Sequence, residues 1–182
     1  MSNYSFKSPI ITVFGGTGFL GRYIVNRLAK SGYIINVVTR FPNESIFLKT
    51  SGDVGQISFV KGSFNNLSKL TSLLSSSEIV INCVGILNEE KNNKFRQIHS
   101  DAPEKLAILA KDTGVKKFIH ISSIGADQKS DSNYAKSKGI GEIKIINAFP
   151  DAIILRPSIV FGSEDQFFNL FSQISCISPI LP

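Results

Sequence analysis

The stretch Ile10-Ile11-Thr12-Val13-Phe14-Gly15-Gly16-Thr17-Gly18-Phe19-Leu20-Gly21 decides the fold. Its first five residues form a short apolar, β-branched run, the pattern of a parallel strand covered on both faces. Leu20, Ile24 and Leu28 follow at helical spacing, with Arg22, Asn26, Arg27 and Lys30 on other faces. That stripe predicts an amphipathic helix directly after the glycines. Gly15, Gly18 and Gly21 punctuate the transition. Gly15 suits a tight turn off the strand, Gly18 leaves backbone N–H groups open to an anion, and Gly21 lets the helix lie close to the sheet. The helix start adds orphan donors and a partial positive charge. Strand, glycine turn and helix in this order predict a pyrophosphate-binding crevice. A P-loop does not fit, because Arg22-Tyr23 stand where Lys-Ser/Thr is required.

Further along, strands and helices alternate. Gly32 is a C-cap candidate for the first helix. Strands are predicted at Tyr33–Thr39, Gln56–Val60, Ile79–Val84, Phe118–Ser122 and Ala152–Leu155. Helical patterns occupy Asn65–Leu74, Asp101–Thr113 and Tyr134–Ala148, and 41–53 has room for one short helix. Asp101 and Glu104 read as a capping box, with Pro103 in the first turn and Gly114 at the end. Such alternation implies an α/β fold with a doubly wound parallel sheet.

The totals bound the function. With 182 residues the chain is long enough for one domain with a sizeable core. The net charge of +6 comes from scattered lysines and arginines, with no basic run interleaved with aromatics, so nucleic-acid binding is not indicated. Cys83 and Cys176 are far apart, and His99 and His120 add no metal-ligand spacing, so no metal site and no disulfide framework is expected. That cysteine usage suits a reducing, cytoplasmic compartment. No apolar h-region opens the chain and no apolar run reaches membrane-spanning length.

Two further features carry chemistry. Nineteen positions after Gly21, where an acidic residue takes the ribose hydroxyls of NAD, stands Arg40. A guanidinium there suits a 2′-phosphate, which favours NADP(H) over NAD(H). Tyr134 and Lys138 lie four residues apart, on one face of a helix. A nearby ammonium favours the phenolate, and bringing a phenol near neutrality requires a shift of about 2–3 units, or ~3–4 kcal/mol. Ser122 and Ser123 end the fifth strand, at the carboxyl edge where ligands bind in such sheets.

The glycine stretch, Tyr134-x-x-x-Lys138 and Arg156-Pro157-Ser158-Ile159-Val160-Phe161-Gly162 resemble the short-chain dehydrogenase/reductase superfamily, in its extended and atypical, epimerase-like branch. Lys117–Ser122, Gly141-Glu142, Phe149–Ser158 and Phe161–Phe167 are similar to the nucleotide-binding accessory subunits of respiratory complex I (NADH:ubiquinone oxidoreductase) and their bacterial relatives. The resemblance implies a Rossmann fold. It implies that Gly15, Thr17, Gly18, Phe19, Leu20 and Gly21 hold the pyrophosphate and Arg40 the adenosine phosphate. Ser63 and Phe64 would stand near the adenine, where the family often has Asp in place of Ser63. Val84 and Gly85 would line the ribose, and Pro157 would back the nicotinamide. Tyr134 would be the general acid/base, Lys138 its ribose-bound partner, and Ser123 the group that orients substrate. It also implies complex I subunits as partners, on the cytoplasmic face of the inner membrane.

Residues 1–163 are expected to form the NAD(P)-binding domain, and 164–182 the start of a truncated substrate region. The apolar ending after Ile174 reads as a cut through a larger protein, which predicts cofactor binding in a half-open cleft with weak turnover or none. Three functions fit: a cofactor-binding subunit of a respiratory complex, a reductase or nucleotide-sugar epimerase/dehydratase using Ser123, Tyr134 and Lys138, and a regulatory NADPH sensor.

Overall fold

A computed structural model describes residues 7–90 and 93–165. Six strands form one sheet: β1 (Lys7–Phe14), β2 (Tyr33–Thr39), β3 (Ile57–Lys61), β4 (Ile79–Asn82), β5 (Lys117–Ile121) and β6 (Ile153–Leu155). Their order is β3-β2-β1-β4-β5-β6 and every pairing is parallel. The order reverses beside β1, between β2 and β4. A crevice opens at the carboxyl edge where crossovers leave in opposite directions.

Helices cover both faces. The four principal ones are α1 (Phe19–Lys30), α2 (Thr71–Ser75), α3 (Ala102–Asp112) and α4 (Asn133–Ala148). Alternate β1 residues serve different cores, as the two-residue period of a strand requires. Ile11 and Val13 join Val25 and Ala29 of α1, Ile35, Val37, Ile57 and Leu48. Phe14 joins Val80, Phe118, Leu106, Leu74 and Ile145 on the opposite face. Between them Thr12, fully buried, bonds Ser77 Oγ at 2.6 Å, and Ser77 in turn donates to the Leu73 carbonyl.

Three local expectations are corrected. The buried stripe of α1 is Gly21, Val25 and Ala29, with Leu20, Ile24 and Leu28 only half-buried beside it. Small residues win the inner face because the helix comes too close to the sheet for leucine. The Asp101–Glu104 capping box does not form, since Asp101 already has helical dihedrals and caps nothing. The helix is under way one turn earlier, through a π-turn at Arg96–Asp101. Both carboxylates instead bind Lys144 of α4, at 2.7 Å each. The predicted helix over 65–74 is broken: a 3-10 segment at Phe64–Leu70 with a kink at Asn66 precedes the short α2. The tail from Gln166 onward, with Cys176, lies outside the described residues.

α4 packs on the π-turn through bare backbone. A Cβ at Gly141 would stand 1.9 Å from the carbonyl oxygen of His99, so any side chain there forces the two elements apart. Gly141→Ala is expected to cost about 1–3 kcal/mol, the range for overpacking. Asn147→Ala, on the exposed side of the same helix, should stay within about 0.5 kcal/mol. Urea denaturation of both variants checks the contrast; equal stabilities would contradict it.

Candidate functional site

The crevice is built at the ends of β1, β4 and β5. Gly15 leaves β1 with φ +75°, and a Cβ there would meet the Val84 backbone nitrogen at 2.9 Å. A Cβ at Gly21 would sit 2.1 Å from the Gly15 carbonyl oxygen. Both positions therefore exclude side chains for steric reasons. The Gly15 carbonyl accepts from Gly18 N–H at 3.1 Å, closing the turn. No side chain caps the start of α1. Its first N–H groups thus remain open donors at the positive end of the helix dipole, an anion-binding arrangement.

Val84 and Gly85 follow directly. The Asn82 side chain accepts from Val84 N–H at 3.1 Å, while its amide nitrogen donates to His120 Nδ1 at 3.1 Å. A Cβ on Gly85 would approach Lys138 Nζ to 3.2 Å. Lys138 is 4% exposed and donates to the Ile121 carbonyl at 3.4 Å. Its ammonium lies 6.0 Å from the centre of the Tyr134 ring. Gly15, Val84, Gly85, Lys138 and Tyr134 are thus contiguous. Ser122 N–H bonds the Leu155 carbonyl and Ile124 N–H the Pro157 carbonyl, which draws the Ser122–Ser123 end of β5 against Pro157. The hydroxyls of Ser122 and Ser123 are buried and have no hydrogen-bond partner among the described residues.

The remaining predicted residues occupy the same edge, further along. Arg40 directly follows β2, exposed, with its guanidinium 5.6 Å from the Phe41 ring centre. Ser63 and Phe64 follow β3, and Phe64 stacks on Phe14 at 5.8 Å. Thr17 offers its carbonyl to Arg22 Nη2 at 3.3 Å. Arg22, which the sequence reading placed on another face of the helix, stacks over Phe47 at 5.1 Å and keeps a buried Nε without a hydrogen-bond partner among the described residues. Its place directly after Gly21 was the available signal. The turn at 162–165 folds back on α1: Phe19 packs against Gly162, and Tyr23 donates to Glu164 at 2.5 Å. A groove of about 590 Å³ along the outer side of β3 is lined by none of these candidate residues.

Burial governs the electrostatics. It holds Lys138 down to about 8, with Glu142 and Cys83 pulling the other way. It pushes the Cys83 thiol up to about 12 against the pull of Lys138, so Cys83 is an inert thiol at neutral pH. His99 and His120 are both driven down to about 3, first by burial and then by Lys138. Glu142 receives the Arg156 guanidinium through two bonds, 3.0 Å and 2.5 Å long. Among the described residues, no group of three or more His, Cys, Asp or Glu is placed to hold a metal, and no helix is long and apolar enough to cross a membrane.

Sheet order, bare glycine turn and Tyr-Lys pair define a Rossmann-fold domain of the short-chain dehydrogenase/reductase type. Residues 11–169 match the NAD dependent epimerase/dehydratase family, and the chain belongs to that family. It is 38% identical over 170 residues to the mitochondrial NADH dehydrogenase (ubiquinone) 1 alpha subcomplex subunit 9 of Mus musculus, a match covering 93% of this chain and 45% of that subunit. It is 32% identical over 174 residues to a ceramide reductase of Caulobacter vibrioides, covering 95% of this chain and 53% of that enzyme. Its fold matches UDP-glucuronic acid 4-epimerase from Bacillus cereus, solved in complex with NAD, with a TM-score of 0.71, 22% identity, and coverage of 92% of this chain and 64% of that one. The chain spans about half the length of the relatives it matches.

The two buried imidazoles give a pH prediction. Unfolded, each titrates near its ordinary 6.5; folded, near 3. Across that window the unfolded chain binds more protons, so stability falls as pH drops from about 6.5 toward 3, by about 1.4 kcal/mol per pH unit for each histidine. Urea unfolding at pH 7, 6 and 5 reads the slope, and His120→Asn should remove about one proton from it. A slope unchanged by that substitution would contradict the buried neutral state.

Proposed function

We propose that this chain is the nucleotide-binding part of a respiratory complex I accessory subunit, in which NADP(H) serves a structural or redox-sensing role. The observation that carries this reading is the glycine cradle: two positions where a Cβ would collide, beneath an uncapped helix start. Backbone groups of Gly15, Thr17, Gly18, Phe19, Leu20 and Gly21 would hold the pyrophosphate. Val84 and Gly85 would line the second ribose beside Lys138, and Pro157 would back the nicotinamide. Ser63 and Phe64 would flank the adenine. Arg40 would take the 2′-phosphate, with Arg22 of α1, stacked over Phe47 on the segment that follows β2, as a second guanidinium. The similarity to a mitochondrial NADH dehydrogenase subunit supports complex I subunits as partners, with peripheral attachment at the inner membrane. Residues 1–163 would form the nucleotide domain and 164–182 would begin a second region.

A second reading is a reductase or nucleotide-sugar epimerase/dehydratase. It is favoured by Tyr134 lying over Lys138 and by the unpartnered hydroxyls of Ser122 and Ser123. A bound nicotinamide supplies hydride transfer. Tyr134 would then move the proton at the substrate oxygen, Lys138 would hold the phenolate by its charge, and Ser123 would hold that oxygen in place.

Titration with NADPH, NADP, NADH and NAD separates the possibilities. Arg40→Ala should weaken the two phosphorylated forms by about tenfold or more and the other two by less than about twofold. Equal losses for all four would overturn the NADP assignment. Comigration of the protein with respiratory complexes in native gels supports the subunit reading. A carbonyl-dependent fall in NADPH absorbance, abolished by Tyr134→Phe, would favour the enzyme instead.

A further inference from the structure

His99 belongs to no motif, yet it contacts Ile86, Ser137 and Tyr134 around the inner site. It is wholly buried and sits on the π-turn, a helical irregularity found disproportionately at functional positions. Its Nε2 lies 3.1 Å from the Ile86 N–H, which can only donate. That nitrogen is therefore bare and the ring proton resides on Nδ1. Nδ1 donates to Ser137 Oγ at 2.9 Å, and Ser137 donates to the Tyr134 carbonyl at 2.8 Å. One neutral ring thus binds the loop after β4 to the first turn of α4.

The aromatic contacts fix it further. His99 stacks on Phe95 with centroids 5.3 Å apart, and meets the Tyr134 ring edge-on, also at 5.3 Å. A Cβ on Gly85 would lie 3.2 Å from Lys138 Nζ and 3.7 Å from His99 Nε2, so both side chains converge above the same glycine. Ser100 reinforces the arrangement by donating to the Ser137 carbonyl at 2.7 Å. An apolar ring of similar size would fill the space and preserve the stack. It would leave the Ile86 N–H without its acceptor and the Ser137 oxygen without the donor from Nδ1, and the loop would lose its register against α4.

We propose that His99 is a positioning residue that sets the spacing between the Gly85–Ile86 floor and the Tyr134–Lys138 pair, so that it controls the nicotinamide half of the site and leaves the adenosine half alone. The inference rests on the dinucleotide reading above. Its position explains the selectivity: Gly85, Ile86, Tyr134 and Lys138 lie on the β4–β5 side of the switch point, whereas Arg40 and Ser63 lie on the β2–β3 side.

Calorimetric titration tests it. The ligands are NADPH or NADH, whichever binds the wild-type protein more tightly, and the matching adenosine half, 2′,5′-ADP or ADP. His99→Phe should weaken the dinucleotide by about tenfold or more while the adenosine half stays within about twofold. His99→Gln, whose amide can accept from Ile86 and donate to Ser137, should restore most of the loss. Ser137→Ala removes only the hydroxyl and should show the same selective loss if His99→Phe fails to fold. Parallel loss of both ligands, no loss of either, or no recovery in the glutamine variant would overturn the inference while the nucleotide reading stands. A wild-type protein that binds neither ligand would overturn both.

Discussion

A contact between two stretches of backbone underlies the rest of the molecule. α1 rests on the Gly15 carbonyl through Gly21, at a distance where a methyl group would stand 2.1 Å from the oxygen. The approach brings Val25 and Ala29 into the sheet face and aims the open end of the helix into the crevice. A second such contact, Gly141 on the His99 carbonyl, closes the opposite face. The candidate site lies between two places where the chain has given up side chains to bring backbone close.

Much of this was legible because it depends on local pattern. β-branched runs marked the strands and glycine spacing marked the turn. The i, i+4 placement of Tyr134 and Lys138 put both on one helix, and the ammonium does lie beside the ring. What pattern could not supply was depth. Leu20, Ile24 and Leu28 form the more hydrophobic stripe of α1, yet Gly21, Val25 and Ala29 are the buried ones, because clearance from the sheet overrides hydrophobicity. Asp101 had the sequence of a cap, but a lysine from another helix claimed it. His99 and Asn82 were illegible as site residues. Their importance comes from partners 38 residues away in each case, Ser137 and His120, which no spacing rule encodes.

The inner site is polar where the same sheet face is otherwise apolar. Val80 and Phe118 give way, two residues further along their strands, to Asn82 and His120. The transition coincides with the buried end of Lys138. With both imidazoles neutral, Lys138 carries the local positive charge, and its nearest compensation, Glu142, is already held by Arg156. A cation partly released from its counter-ion suits a site that must stabilise negative charge on a phenol or hold a sugar hydroxyl.

The sheet order also bears on how the protein is made. β1 precedes the other five strands along the chain but occupies the middle of the sheet, between β2 and β4. Its buried Thr12 must wait for Ser77, 65 residues later, to find a partner. Until then one edge of the nascent β1–β2–β3 sheet stands open, and long-range parallel pairing of this kind is slow and exposed to aggregation. Translation speed between β3 and β4, and chaperones that shield the growing chain there, therefore bear on yield.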